Sequence, residues 1–239
     1  MLKKRAIYAA DKLIAVSRVT KEDILMVYPN IPQEKICVVS HGCDHMLRTI
    51  PVPPKDNVFV SACLSRSVLI HVGSRSHYKG FDDLIKALAM VRGSCSDFLL
   101  VAVGMPWSNT ELNLIRDSNI SDYAVALQLA DAELAWLYKI ALATICPSRY
   151  EGFGFPVLEA MLMGCPVVCS DNPAHLELAQ GQAEVYRAGD PSALADILVN
   201  LVRKPSKLFG KVPRAQRMAS RFTWRAAAAK TLDLYKSLV

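Results

Sequence analysis

The sequence has little of what marks a membrane, exported or disordered protein. It contains no run of eighteen apolar residues, which argues against a membrane-spanning helix. The N-terminus is basic, but no apolar core of a signal peptide follows it, so we expect no export by a visible signal. No internal repeat or low-complexity tract interrupts the 239 residues, of which 52% are apolar. We therefore expect a well-buried globular core with little disorder.

The cysteines lack the pairing of a disulfide framework or a zinc site. All seven stand singly, no C-x-x-C pair occurs, and their number is odd. Their positions are 37, 43, 63, 95, 146, 165 and 169. We expect reduced thiols in a cytoplasmic protein.

Positive charge is concentrated at the C-terminal end. The formal net charge is +6, but residues 201–239 carry ten Lys or Arg against the single acid Asp233, which leaves the rest at −3. The spacing of Arg214, Arg217 and Arg221 places them on one face of a predicted amphipathic helix. That face is either solvated or in peripheral contact with an anionic membrane. No aromatic platform accompanies the charges, which argues against nucleic-acid binding.

Most of the chain alternates between two kinds of pattern. From Ser67 onward, short apolar runs alternate with amphipathic stretches, which is typical of an α/β protein with a doubly wound parallel sheet. The predicted strands cover 68–72, 98–103, 123–127, 143–146, 166–169 and 183–186. The predicted helices cover 80–92, 109–117, 131–141, 156–164, 173–180 and 191–203, and then the helical tail with a last helix over 224–238.

The first 66 residues follow a different pattern. Residues 12–16 and 35–40 are predicted strands, and a helix capped by Ser17 or Thr20 lies between them, which makes a small β-α-β piece. Residues 45–66 contain three prolines and show little periodicity. They predict an irregular linker.

A first candidate binding loop, G-S-R-S-H-Y-K-G at 73–80, follows the strongest predicted strand. Glycine lets the backbone approach a phosphate closely, and Arg75 and Lys79 supply two cations for a diphosphate. The spacing of a Walker A loop is absent. The alternative is a surface turn with two solvated cations.

A second candidate, R-Y-E-G-F-G-F-P-V-L-E-A-M-L-M-G-C-P at 149–166, joins a turn to a predicted helix. Pro156 suits the first helical position, which would place Glu159 in the first turn. Free N–H groups at such a helix start form an anion site, most naturally for phosphate. Two carboxylates beside it, Glu151 and Glu159, indicate a ligand with many hydroxyls, such as a sugar nucleotide. The alternatives are an exposed helix acid for Glu159 and an ion pair with Arg149 for Glu151.

These two loops resemble the donor-binding half of the retaining GT-B glycosyltransferases of family 4, also called group 1. The resemblance rests on V-G-S-R-S-H-Y-K-G-F-D-D-L-I-K-A and E-G-F-G-F-P-V-L-E-A-M-L-M-G-C-P-V-V, in which Glu151 and Glu159 match the family's E-x7-E motif. Residues 10–17 and 38–44 are similar to the end of the family's acceptor-binding domain. Residues 221–225, R-F-T-W-R, resemble the entry to its final crossing helix.

The resemblance implies a division into four parts. Residues 1–44 would be a remnant of the acceptor domain, 45–66 a linker, 67–222 the nucleotide-sugar donor-binding domain, and 223–239 the C-terminal crossing helix. The glycine-rich N-terminal domain of the family is almost wholly missing. We therefore expect the chain to bind a nucleotide sugar but to transfer it poorly or not at all alone.

The resemblance also implies roles for individual residues. Arg75 and Lys79 would hold the diphosphate and, with Glu151, form the catalytic set. Glu159 would bind the ribose and Glu151 the donor sugar, while the base would lie near Leu129 and Leu134. The implied donor-binding residues are Gly73, Ser74, Arg75, Lys79, Leu129, Leu134, Glu151, Gly152, Phe153, Gly154, Phe155, Val157 and Glu159. Asp131 is expected to cap the helix beside the base.

The implied reaction is transfer of a hexose, with retention, to a glycan or lipid-linked acceptor in polysaccharide biosynthesis. The sequence has no D-x-D, consistent with a metal-independent enzyme without a cofactor. UDP-glucose and GDP-mannose are the expected donors, and the enzyme would be cytoplasmic, or peripheral at the inner membrane face. A different class of alternative is a non-enzymatic nucleotide-binding or interaction module on the same fold. A sugar-nucleotide epimerase and a PLP-dependent phosphorylase are weaker alternatives.

The sequence departs from the family pattern at two positions. The difference between the numbers of Arg75 and Lys79 is four, where five is commoner in the family. After Asp171, the family's proline-glutamate pair is replaced by Leu176 and Glu177. The role of that last loop is therefore left open.

Overall fold

The computed structural model describes residues 2–94 and 97–238. The strands are β1 (Leu13–Ala15), β2 (Ile36–Val38), β3 (Ser67–Val72), β4 (Phe98–Val103), β5 (Ala124–Leu127), β6 (Ala143–Cys146), β7 (Val167–Ser170) and β8 (Glu184–Tyr186). The longer helices are α1 (Leu2–Ala9), α2 (Arg18–Val27), α4 (Asn57–Ser65), α5 (Phe81–Val91), α6 (Asn109–Asp117), α7 (Asp131–Ile140), α8 (Phe155–Met163), α9 (Pro173–Ala179), α10 (Pro191–Arg203), α12 (Val212–Ala219) and α13 (Trp224–Lys236). Two single-turn helices are α3 (His45–Arg48) and α11 (Ser206–Phe209).

Six parallel strands form the main sheet, in the order β5-β4-β3-β6-β7-β8. Each lies within one residue of its predicted bounds. In β4 every side chain is buried, and alternate residues belong to two separate core clusters, one on each face of the sheet. Burial on both faces is why these strands are continuous apolar runs. The predicted doubly wound α/β fold is confirmed.

The strand order reverses between β3 and β6, which are hydrogen-bonded neighbours. The chain leaves β3 into the loop at 73–80 and leaves β6 into the loop at 147–154. In open α/β sheets ligands bind beyond the carboxyl ends of the strands, at such a reversal. The two loops singled out in the sequence therefore flank the expected binding crevice.

The predicted β-α-β piece forms at the N-terminal end. Strands β1 and β2 pair in parallel, and Ser17 caps α2 by accepting a hydrogen bond from the Thr20 amide. A small core of its own, with Ala15, Ile31 and Ile36 buried, holds this piece together.

The segment 45–66 is not the irregular linker that its prolines predicted. The Asp56 carboxylate caps α4 by accepting from the amides of Val58 and Phe59, and Phe59 and Cys63 are buried in the core cluster under the sheet. Helix α4 is apolar on most of its surface, so it lacks the amphipathic periodicity that identifies a helix in sequence. Helices α1, α3 and α11 were also not predicted. The boundaries of the four parts remain predictions.

The start of α8 and the N-cap of α7 differ from the predictions. Helix α8 begins at Phe155, so Pro156 is its second residue and Glu159 lies in the second turn. Helix α7 begins at Asp131, and its N-cap is Ala130, whose amide donates to the Glu133 carboxylate at 2.9 Å. Asp131 is therefore a first-turn acid that complements the helix N-terminus and not the cap.

The C-terminal tail returns to the N-terminal piece. Helix α12 exposes Arg214 and Arg217 of the predicted basic face and buries the opposite face. Arg221, the third residue predicted for that face, lies beyond the end of the helix at Ala219. At the start of α13, the Trp224 amide donates to the Asp44 carboxylate at 2.7 Å, and the Cys43 amide donates to the Phe222 carbonyl at 2.9 Å. Across residues 2–94 and 97–238, the helices are too short or too polar to cross a membrane.

Six cysteines are free thiols in the described chain, as predicted: Cys37, Cys43, Cys63, Cys146, Cys165 and Cys169. Burial raises the pKa of Cys165 and Cys169 to about 12, so these thiols stay protonated and inert at neutral pH. The remaining predicted thiol, Cys95, lies outside the described residues.

Candidate functional site

A cavity of about 300 Å³ lies at the strand-order reversal, between the loops after β3 and β6. Its walls come from the ends of the two strands, both loops and the start of α8. The lining residues are His71, Val72, Gly73, Ser74, Lys79, Ile145, Cys146, Ser148, Glu151, Phe153, Gly154, Phe155, Pro156 and His175. The two sequence motifs thus meet in one concave site.

The two loops are fastened to each other. The Arg149 amide donates to the Tyr78 carbonyl at 2.8 Å. Gly80 has φ +66°, and a Cβ added there would lie 2.1 Å from the Pro147 carbonyl oxygen, so only glycine fits. The Arg149 guanidinium also binds the Asp83 carboxylate at 2.7 Å, and the alternative pairing of Arg149 with Glu151 is wrong. The cavity is therefore held in shape without a ligand.

Glu151 is fixed through one of its two oxygens. Its Oε1 accepts from Lys79 Nζ at 2.7 Å and from Ser148 Oγ at 2.8 Å. The Lys79 and Glu151 side chains are 21% and 15% exposed, so the pair is half-buried at the cavity wall. No group in the described chain donates to Glu151 Oε2. That oxygen is available to hydroxyls of a ligand.

The start of α8 presents unused backbone donors. Gly154 precedes the helix with φ +98° and no side chain caps the turn. Within the described residues, the amides of Gly152, Phe153, Gly154 and Phe155 donate to no protein acceptor. Free amides at a helix N-terminus bind anions. The Val157 amide, which was expected to join them, donates to the Gly154 carbonyl at 3.1 Å.

Arg75 lies on the other side of the first loop. Its guanidinium binds the Glu111 carboxylate at 2.6 Å and the Met105 carbonyl at 2.7 Å, and it stacks over the Trp107 ring at 4.8 Å. The side chain is only 5% exposed. Arg75 borders a neighbouring pocket with Glu111, and not the cavity that holds Lys79 and Glu151.

Glu159 lies on α8 in a different environment from Glu151. It accepts a hydrogen bond from the Tyr138 hydroxyl at 3.0 Å. Burial raises the pKa of the Glu159 carboxyl, and the Tyr138 bond and the His45 charge offset this only in part. Leu129 and Leu134 are half-buried and pack against the same core cluster. Glu159 is therefore a poorly solvated carboxylate with spare acceptor capacity.

The cavity brings together about half of the site residues predicted from the sequence: Gly73, Ser74, Lys79, Glu151, Phe153, Gly154 and Phe155. The others lie outside its lining, namely Arg75, Leu129, Leu134, Gly152, Val157 and Glu159. Of these, Val157 is fully buried in the core. Gly152 contributes its amide from the adjoining turn.

Two buried histidines at the cavity were not predicted as site residues. Burial lowers the pKa of His71 and of His175 to about 4, so both are neutral at pH 7. A sequence signal existed for His71, which is a polar residue inside the apolar strand β3. His175 gave no signal, because its place in the cavity depends on how α9 packs against α8.

The N-terminal piece supports the second loop directly. Ser17 Oγ donates to the Gly152 carbonyl at 2.6 Å, and Thr20 Oγ1 donates to the same oxygen at 3.1 Å. Glu177, whose role was left open, accepts from the amides of Arg18 and Val19 at the start of α2. Glu177 therefore ties α9 to the N-terminal piece.

The residues that the structure describes contain no group of three His, Cys, Asp or Glu side chains arranged to hold a metal ion. The charges at the cavity are the Lys79 ammonium, the Glu151 carboxylate and the partial charge of the α8 N-terminus.

Comparison with known families shows the family to which the chain belongs. Residues 61–220 match the family described as "Glycosyl transferases group 1". The chain belongs to this family. The match covers the six-stranded sheet and both candidate loops.

Curated relatives are matched along nearly the whole chain. The D-inositol 3-phosphate glycosyltransferase of Thermobispora bispora is 29% identical over 249 residues, covering 97% of this chain and 57% of the relative. The O-antigen chain mannosyltransferase B of Escherichia coli is 33% identical over 240 residues, covering 96% of this chain and 61% of the relative. The chain thus spans roughly three fifths of the length of these enzymes.

Solved structures show the same fold. The Anabaena protein HepE, solved in complex with UDP and glucose, superposes with a TM-score of 0.85 at 21% identity, covering 98% of this chain and 65% of that chain. The sucrose-phosphate synthase of Thermosynechococcus elongatus superposes with a TM-score of 0.81 at 21% identity, covering 100% of this chain and 61% of that chain. At this identity the likeness concerns the fold.

Proposed function

We propose that the chain is the nucleotide-sugar-binding half of a retaining family 4 hexosyltransferase. The observation that carries this proposal is the cavity at the strand-order reversal, in which a lysine, a carboxylate and free helix N-terminal amides converge. Membership of the group 1 family supplies the reaction class.

In this proposal, the hydrogen-bond donors of the site bind the diphosphate of the ligand, and the acceptors bind its hydroxyl groups. The diphosphate accepts hydrogen bonds from the free amides of Gly152–Phe155 and takes the charge of Lys79 Nζ. As the bond to the sugar breaks, negative charge grows on the leaving diphosphate, and these same groups stabilise it. No metal or cofactor is needed for this role.

We propose a role for Arg75 that differs from the diphosphate contact expected from the sequence. To reach the diphosphate, its guanidinium would have to leave Glu111, at 2.6 Å, and two backbone carbonyls. We propose that Arg75 holds the loop at 73–80 in shape and that Lys79 is the direct cation.

The two glutamates bind the two polyhydroxylated parts of the donor. Glu151 Oε2 accepts from hydroxyls of the sugar, and Glu159 accepts from the ribose diol. The base lies beside Leu129 and Leu134, which offer apolar surface at the start of α7.

UDP-glucose and GDP-mannose are the proposed donors. HepE was solved with UDP and glucose, and the relative at 33% identity is named a mannosyltransferase of an O-antigen chain. The O-antigen name suits a role in polysaccharide biosynthesis, with a glycan or lipid-linked acceptor. The acceptor-binding wall would come from a further domain, so this chain alone binds donor with little or no turnover. A location in the cytoplasm, with the basic face of α12 in contact with an anionic membrane, would suit a lipid-linked acceptor.

Isothermal titration calorimetry with UDP-, GDP- and ADP-sugars tests the proposal. The wild type is expected to bind one nucleotide class, and Glu159→Ala is expected to weaken both that nucleotide and its sugar derivative. Glu184→Ala is a control, because it removes a carboxylate on the edge strand β8, outside the cavity, where Glu184 pairs with Lys211 at 2.8 Å.

The other outcomes are equally informative. Absence of binding to every nucleotide sugar would favour the non-enzymatic interaction module on the same fold. Turnover by the isolated chain, in an assay with donor and acceptor extracts, would show that no further domain is required.

A further inference from the structure

His175 lies against the turn that starts α8. It is the third residue of α9, its side chain is 1% exposed, and it lines the cavity. A Cβ added at Gly154 would lie 3.2 Å from His175 Cδ2 and 3.8 Å from His175 Nε2. The Nε2 edge of the ring therefore faces the loop that also carries Glu151.

The hydrogen bonds behind the ring fix its tautomer. Ser170 Oγ donates its single hydrogen to the Ser148 carbonyl. The contact of 3.1 Å between Ser170 Oγ and His175 Nδ1 must then be donated by the histidine. A neutral ring with its proton on Nδ1 carries a lone pair on Nε2.

The ring is neutral at physiological pH. Burial lowers the pKa of His175 to about 4, and the Glu151 carboxylate offsets this only in part. At pH 7 Nε2 is thus a hydrogen-bond acceptor and not a donor. An acceptor cannot pair with a phosphate oxygen, which has no hydrogen to give.

The cavity therefore has two chemical sides. Lys79 and the amides of Gly152–Phe155 can only donate, and they suit a diphosphate. Glu151 Oε2 and His175 Nε2 can only accept, and they suit hydroxyl groups. His71 has a similar neutral ring, but its Nε2 is fully buried.

We infer that His175 is a sugar-binding residue, whose Nε2 accepts a hydrogen bond from one hydroxyl of the transferred sugar and helps to select which sugar is bound. This inference rests on the proposed donor-binding function. It adds a second acceptor to the sugar side of the site, beside Glu151.

A matched pair of variants separates this role from packing. In His175→Asn, the side-chain amide can still donate to Ser170 in place of Nδ1, but nothing replaces Nε2. In His175→Gln, the longer side chain can place an amide oxygen near the former Nε2 position. Calorimetry would compare UDP and GDP with UDP-glucose and GDP-mannose for both variants and the wild type.

The expected result is selective. His175→Asn should leave the dissociation constant of the free nucleoside diphosphate within about twofold of wild type and weaken the nucleotide sugar about fivefold to tenfold, the effect of one lost hydrogen bond. His175→Gln should recover part of the loss. For the deoxysugar derivative that lacks the contacted hydroxyl, wild type and His175→Asn should bind alike.

Each other outcome has one meaning. Equal weakening of diphosphate and nucleotide sugar, or no weakening at all, would overturn the role of His175 and leave the proposed function standing. If the wild type bound no nucleotide sugar, the proposed function would fail, and this inference with it. Thermal melts identify a variant that has not folded, in which case the other variant of the pair gives the answer.

Discussion

The two carboxylates of the E-x7-E pair stand eight residues apart in the chain but in contrasting surroundings. Glu151 has a cation and a hydroxyl on one oxygen, Lys79 at 2.7 Å and Ser148 at 2.8 Å. Glu159 has a single neutral donor, Tyr138 at 3.0 Å, and burial raises the pKa of its carboxyl. The described chain places no cation within ion-pair distance of Glu159.

The difference indicates how each end of the site meets a ligand. At the Glu151 end the charge is already compensated, so in the proposed function a diphosphate would share Lys79 with Glu151. At the Glu159 end the charge is poorly compensated, and a pair of ribose hydroxyls would supply the missing donors. In the proposed function, the free energy of ligand binding at the two ends would therefore come from different contacts.

Removal of Lys79 is expected to have the largest effect. Lys79→Ala deletes the cation that binds Glu151 and that, in the proposed function, also binds the diphosphate. The affinity for nucleoside diphosphate should therefore fall about 10- to 100-fold, as for loss of a charged hydrogen bond. Calorimetry with UDP and GDP measures it. Lys211→Ala, which breaks the matched pair with Glu184, should leave binding unchanged. Equal affinity of Lys79→Ala and wild type would mean that the phosphates lie elsewhere.

Exchange of each carboxylate for its amide should separate the two ends. Glu159→Gln is expected to weaken free nucleoside diphosphate and nucleotide sugar alike, by about tenfold, because both contain the ribose. Glu151→Gln is expected to weaken only the nucleotide sugar, because the free diphosphate has no sugar hydroxyl to bind. The same ligands and method as for Lys79→Ala apply. Identical patterns for the two variants would remove the distinction between the ends.

The sheet was predictable because its residues carry strong local signals. Strands such as β4 are buried on both faces, so their apolar runs are visible without any tertiary information. The loops at 73–80 and 149–154 were singled out by their residues and by their positions after predicted strands, and the observed sheet order places the ends of β3 and β6 side by side. Lys79 and Glu151 meet there.

What escaped prediction depends on tertiary contacts. Arg75 has the right chemistry for a phosphate, but Glu111, 36 residues later, pairs with it. His175 enters the cavity through packing of α9 on α8, and α4 is defined by burial under the sheet instead of by an amphipathic stripe. No local pattern encodes such partners.

Removal of the Ser17 hydroxyl should destabilise the loop that carries Glu151, because Ser17 binds the neighbouring Gly152 carbonyl. Ser17 caps α2 and donates to the Gly152 carbonyl at 2.6 Å, next to Glu151. Ser17→Ala should lower the free energy of unfolding by about 1 kcal/mol, the usual cost of a lost N-cap, and the melting temperature by about 3 °C. Thermal denaturation measures this. The exposed Ser220, which donates only to a nearby helix carbonyl, gives a control variant, Ser220→Ala, that should melt as wild type does.

The smallest expected effect is on the melting temperature, which Glu159→Gln should raise and Glu151→Gln should lower. Folding raises the pKa of Glu159, so above that pKa its ionised carboxylate lowers the free energy of unfolding. This destabilisation disappears as the pH falls, because Glu159 is then protonated in both the folded and the unfolded states. Glu159→Gln keeps an acceptor for Tyr138 and has no charge, so at pH 7 it should melt slightly above wild type. Melting curves from pH 7 to about pH 4 should show this difference shrink towards zero. Glu151→Gln should instead melt below wild type at pH 7, because it leaves Lys79 without its carboxylate. A Glu159→Gln protein that melts below wild type at pH 7 would mean that the Glu159 charge is compensated after all, and that the two carboxylates differ less than their contacts indicate.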